Sequence, residues 1–152
     1  MALPSVFDPK TTETTFNRLE KLSYISKPLW GKMNAAQMLA HLNVAYDLAY
    51  ERIPYKSNGF KKFILKLLVK PLVVSEKPYK KNSHTAPEFI IADERDFEKE
   101  KSKFIDNVKQ TEAHGTKYFE GKVSTSFGAM TAQEWSTQFY KHIDHHFTQF
   151  GV

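Results

Sequence analysis

Three of the chain's six histidines fall within Lys141-His142-Ile143-Asp144-His145-His146. Near neutral pH an imidazole does two kinds of chemistry, binding divalent transition metals and carrying protons. His142 and His146 are four residues apart, which on a helix leaves them about 40° apart around the axis and stacked on one face. Both rings can then approach one ion. Zinc sites in helical enzymes use the same spacing and take a further ligand from elsewhere in the fold. His41 is the natural third ligand, because its helical face includes Gln37, Met38, Val44, Ala45 and Leu48, which would turn it inward. A buried neutral histidine must satisfy one donor and one acceptor nitrogen, and one cation satisfies three converging acceptors. The alternative is that each histidine hydrogen-bonds separately, with His142 and His146 partly exposed near the C-terminus.

The remaining polar residues have weaker claims. His145 points about 60° away from His142 and suits a contact at the edge of the site, whereas Asp144 lies on the far side of the helix. His84 sits in Asn82-Ser-His-Thr-Ala-Pro87, a loop that could approach the histidines as a substrate contact. His114, beside Gly115, reads as a helix-terminal histidine. Gln37, Tyr46, Gln138 and Tyr140 could orient a substrate or water, and each suits packing or an interhelical hydrogen bond equally well. No carboxylate takes the place of the glutamate in an HExxH motif, which weakens a hydrolase reading.

These side chains need helices to hold them. Thr11 to Ser23 has apolar residues at helical spacing (Phe16, Leu19, Leu22) and predicts a first helix. Trp30, in the connection that follows, is expected to pack under the bundle. Asn34 followed by Gln37 forms a capping box and opens a second helix over Ala35 to Tyr50, bounded by Pro54. Gly59 to Val69 reads as a short amphipathic helix, with Phe60, Phe63, Ile64, Leu67 and Leu68 opposite lysines, stopped by Pro71. Val73 to Ala92 has no sustained period and reads as a long crossover. A helix from about Asp93 carries Phe97, Phe104, Ile105 and Val108 and is expected to leave at Gly115. Tyr118 to Gly128 is a connection with room for a short extended piece. Thr131 and Glu134 form a second capping box, which opens the histidine-bearing helix. Four substantial helices without convincing paired strands predict an all-α fold, a four-helix bundle with a long crossover and a short extra amphipathic helix, forming a single domain over residues 1–152.

Composition narrows the chemistry. The 152 residues include no cysteine, so thiolate ligands, disulfides and cysteine nucleophiles within the chain are excluded. The N-terminus has no signal-like apolar run, and Phe60 to Val74 is broken by Lys66, Lys70 and Pro71, short of the roughly 20 apolar residues of a spanning helix. A cytoplasmic protein is the expectation. The net charge of +5 is concentrated in residues 56–81, where eight lysines face the single acid Glu76. Such a segment could meet an anionic substrate or lipid headgroup, although a solvated lysine-rich face needs no partner. A nucleic-acid partner is disfavoured because no recognisable reading module accompanies the lysines. Peripheral attachment of Phe60 to Leu68 to an anionic membrane is also disfavoured, since a helix packed over a bundle end would show the same pattern.

Three stretches carry a resemblance: Gly31-Lys-Met-Asn-Ala-Ala-Gln-Met-Leu-Ala-His41-Leu, then His84-Thr-Ala-Pro-Glu-Phe89 leading to Asp96-Phe97, and Gly128-Ala-Met-Thr-Ala-Gln-Glu-Trp135 running into His142-Ile-Asp-His-His146-Phe-Thr-Gln149. With these the chain resembles the DinB/YfiT-like superfamily of metal-binding four-helix bundles, in a bacterial branch of unknown function, over about Thr11 to Val152. The resemblance implies a divalent transition metal, zinc or nickel, on one histidine of the second helix and an i,i+4 pair of the last. Those positions fall on His41, His142 and His146. It further implies a small-molecule substrate, a tendency to form homodimers, and activities that include transfer to an external low-molecular-weight thiol, hydrolysis and isomerisation. The runner-up expectation is a non-catalytic bundle that binds a metal or small ligand.

Overall fold

A computed structural model describes residues 2–152. Four helices form the bundle: α1 (Pro9–Leu19), α2 (Ala35–Ala49), α5 (Phe97–Phe119) and α6 (Ala132–Gln149). Two shorter helices, α3 (Gly59–Ile64) and α4 (Lys70–Val74), are joined by a π-helical turn over Leu65–Val69. Residues 75–96 make the crossover, which contains a 3-10 turn at Pro87–Phe89.

The starts of the helices follow from side chains that satisfy the otherwise unpaired first N–H groups. Asp8, Asn34, Asn58, Asp96 and Thr131 each accept from a backbone N–H in the first turn. Both anticipated capping boxes, Asn34 with Gln37 and Thr131 with Glu134, are formed. The α5 helix begins at Phe97 rather than Asp93, because Asp96 takes the capping role and leaves Asp93 to pair with Arg95. Gly115 is the predicted interruption, with φ at +65°, yet the chain resumes helical geometry as far as Phe119. A two-residue antiparallel hairpin, β1 (Val123–Ser124) with β2 (Gly128–Ala129), occupies the α5–α6 connection.

Pro71 does not stop the amphipathic segment. The Lys70 N–H reaches the Leu65 carbonyl five residues back, and this widened turn carries the helix past a proline that has no N–H to donate. The orientation of the segment differs from the expectation too. Leu65, Val69 and Val73 pack against the core, while Phe60, Phe63, Leu67, Leu68 and Leu72 face outward and are exposed.

Between the bundle helices the core is aromatic, with Phe104, Phe119, Phe139 and Phe147 fully buried and Tyr46 stacked on Phe139 at 4.6 Å. A polar seam crosses the α2–α5 contact, where Asn43 donates to Glu100 and accepts from Asn107. Beside it Asp47 pairs with Arg52 and Lys103. Satisfied buried polar groups of this kind fix one register of helix on helix.

Candidate metal centre

The α2 and α6 helices bring His41 and His142 together, with their Nε2 atoms 2.8 Å apart. The His146 ring centroid lies 4.5 Å from that of His41 and 5.0 Å from that of His142. One nitrogen from each ring falls within 4.8 Å of the others, an arrangement geometrically compatible with coordination of a metal ion. Two of the rings are turned by partners that settle their tautomers. His41 Nδ1 is 2.8 Å from the Phe89 carbonyl, which can only accept, so Nδ1 carries the proton and the Nε2 lone pair is free. His146 is set through a second side chain. The Gln149 Nε2 donates to the Trp30 carbonyl, which turns Gln149 Oε1 toward His146 Nδ1 at 2.7 Å and again leaves Nε2 as the lone pair. His142 Nε2 lies on the same side, 2.8 Å from His41 Nε2.

The rings are held neutral, as ligands must be. Burial lowers the pKa of His41, opposed by the Phe89 carbonyl, and lowers that of His142 far below the usual value with help from the neighbouring histidines. His146 is pulled down to about 3, first by burial and then by His41. Three neutral nitrogens with two tautomers already set suit a divalent ion that accepts imidazole, and the donor set passes that chemical test.

Above the histidines opens a cleft of about 740 Å³, within the range of small-molecule sites. Leu65, Val69 and Val73 form one wall, Phe89 and Trp135 line it further, and Lys32 and Lys80 stand among its polar residues. Lys141, next to His142, reaches out and donates to the carbonyls of Leu72, Val73 and Ser75 at the end of α4. The helix that forms the wall is therefore tied to the helix that carries two of the histidines. Burial lowers the Lys141 pKa to about 8.

The other residues singled out from the sequence part company here. His145 lines the cleft, its ring edge-on to Trp30 and Tyr79, each at 5.8 Å. Gln138 also lines it, and its Oε1 is buried without a hydrogen-bond partner among the described residues. His84 is exposed on the loop at the cleft. Gln37 lies elsewhere, with its carbonyl closing the α2 capping box and its amide donating to the Asp93 carbonyl. Tyr46 is buried in the aromatic core and does not line the cleft. Trp30 is at the cleft rather than under the bundle, and Asp144 pairs with Arg18 at 2.7 Å, away from the histidines. The partners that orient the rings were harder to anticipate. Gln149 stands three residues after His146, a spacing that helical geometry makes adjacent, whereas the Phe89 carbonyl and Lys141 give no local signal.

A family profile described as protein of unknown function (DUF1569) matches residues 7–151. The chain belongs to that family. No curated protein and no solved structure matches it. The helical fold and the three-histidine cluster are consistent with a DinB/YfiT-like metal-binding bundle, and the family's own description assigns no activity.

Proposed function

We propose that the protein is a metal-dependent enzyme of the DinB/YfiT-like kind, one domain that transfers a thiol to, or hydrolyses, a small molecule held in the cleft. The observation that supports this reading is the convergence of the three histidine nitrogens on the floor of an open cleft rather than in a closed core. His41, His142 and His146 would hold zinc or nickel. A divalent ion there supplies Lewis acidity, which lowers the pKa of a thiol or water molecule that shares its shell.

The chain's own groups have distinct parts in this scheme. His145 has no hydrogen-bond partner among the described residues and its pKa is lowered by burial, so at neutral pH it offers a neutral nitrogen beside the ligands to take up a proton. The unpaired Gln138 Oε1 accepts a donor group of the substrate. Lys32 and Lys80 attract a carboxylate or phosphate. The acid on the cleft wall, Glu88, is engaged by Lys61 at 3.3 Å, which favours an external thiol nucleophile over a carboxylate-activated water.

Elemental mass spectrometry on protein purified without a histidine tag tests the reading, with His41→Ala/His142→Ala/His146→Ala as control. About one transition-metal ion per chain, absent from the variant, followed by saturable transfer of an added thiol, is the expected result. Metal retention without thiol transfer or hydrolysis would leave a binding module, and no metal after reloading would end the proposal.

A further inference from the structure

The segment Gly59–Val74 is apolar on two sides. One side, through Leu65, Val69 and Val73, packs on the core and walls the cleft. The other presents Phe60, Phe63, Leu67, Leu68 and Leu72, between 58% and 75% exposed. Single exposed apolar residues are ordinary, but five within thirteen positions on one face call for a partner. We infer that this face docks on an anionic lipid surface, with the helix lying in the plane of the headgroups.

Charge decides the occupant. The apolar residues are interleaved with Lys61, Lys62, Lys66 and Lys70, and the flanking stretches add Lys56, Lys77, Lys80 and Lys81, with Glu76 as the sole acid in residues 56–81. Lys61 and Lys70 lean on Glu88 and Glu134, while Lys56, Lys62, Lys66 and Lys77 are exposed around the patch. A second copy of the chain docking face to face would set one lysine-rich segment against another. An acidic membrane complements the lysines and takes up the phenylalanine and leucine side chains together, the combination by which interfacial helices bind. No helix among the described residues is long and apolar enough to cross a membrane, so the contact is peripheral. The segment suits that role mechanically, being a continuous helical rod carried past Pro71 by its π turn and fastened at its end by Lys141. The inference does not depend on the metal.

Flotation of the full-length protein with vesicles tests it. Vesicles of phosphatidylcholine with phosphatidylglycerol should carry the protein upward, vesicles of phosphatidylcholine alone should not, and high salt should release it. Phe60→Ser/Leu67→Ser/Leu68→Ser should abolish flotation while the far-ultraviolet spectrum stays unchanged. Lys62→Glu/Lys66→Glu, at two exposed lysines, should weaken vesicle affinity by roughly tenfold or more, with the far-ultraviolet spectrum again unchanged. Equal flotation on both lipids, or on neither, would overturn the inference. So would a dimer in sedimentation equilibrium that the serine substitutions dissolve, since the face would then belong to a second copy.

Discussion

The floor of the cleft and its outer wall break the rule of burial in opposite senses. On the floor, two polar rings are withdrawn from water and supplied with partners, the Phe89 carbonyl for His41 and Gln149 for His146, with His142 half-buried beside them. On the outer wall, five large apolar side chains are left in water with nothing over them. A buried polar group and an exposed apolar patch are the two observations that ordinary folding does not account for. They occur on neighbouring elements joined through Lys141, and the two proposals above rest on them.

The comparison is sharpest in stability. Phe104→Ala empties a fully buried site between the helices and should cost about 3–5 kcal/mol in urea denaturation. A loss below about 1 kcal/mol would mean that the core is not where the contacts place it.

Acid should act next, and chiefly on the floor. His146 stays neutral in the folded protein down to about pH 3, whereas the unfolded chain takes up a proton near the ordinary value of about 6.5. The unfolded state therefore binds more protons between these values, so the stability is fully present above about pH 6.5 and is lost as the pH falls. The metal-free protein should lose about 2 kcal/mol on this account by about pH 5, with His41 and His142 acting in the same direction. Denaturation curves in a chelating buffer that do not change between those pH values would show that the rings are not held neutral.

Gln149→Leu keeps all three imidazoles and removes the amide that orients His146. Zinc affinity, by competition with a chromogenic chelator, should fall about tenfold or more. An unchanged affinity would mean that the ring needs no such latch. At the bottom of the scale, Phe60→Ser on the outer wall should alter stability by less than about 0.5 kcal/mol. A larger loss would place Phe60 inside the fold and weaken the case for a docking face.

Much of this arrangement can be read from the sequence because its causes are local. Capping boxes involve residues three apart, and the His142–His146 pair depends only on the helical repeat, so both survive the passage to three dimensions. What could not be read depends on more than one element. The pattern of Gly59–Val69 says which residues share a face but leaves open which face the bundle covers, and it covers Leu65 and Val69 rather than the leucines beside them. Pro71 would end a helix of regular pitch, and only the wider π turn before it removes the conflict. Gln37 and Tyr46 have side chains suited to a substrate, yet the α2 cap and the aromatic core engage them first. The pairing of His41 with the Phe89 carbonyl joins residues 48 positions apart, and nothing near either residue announces it.

Gly31 gives the three-histidine cluster an unexpected outer limit. Its φ of +83° already favours glycine, and a Cβ there would stand 2.5 Å from Gln149 Nε2. A methyl group at that point would push the amide off the Trp30 carbonyl, free Gln149 to turn, and with it free the proton on His146 to change nitrogens. The outermost support of the three-histidine cluster is thus a hydrogen atom on a residue with no chemistry of its own, and an inventory of reactive side chains would pass over the position where the smallest substitution reaches the three rings.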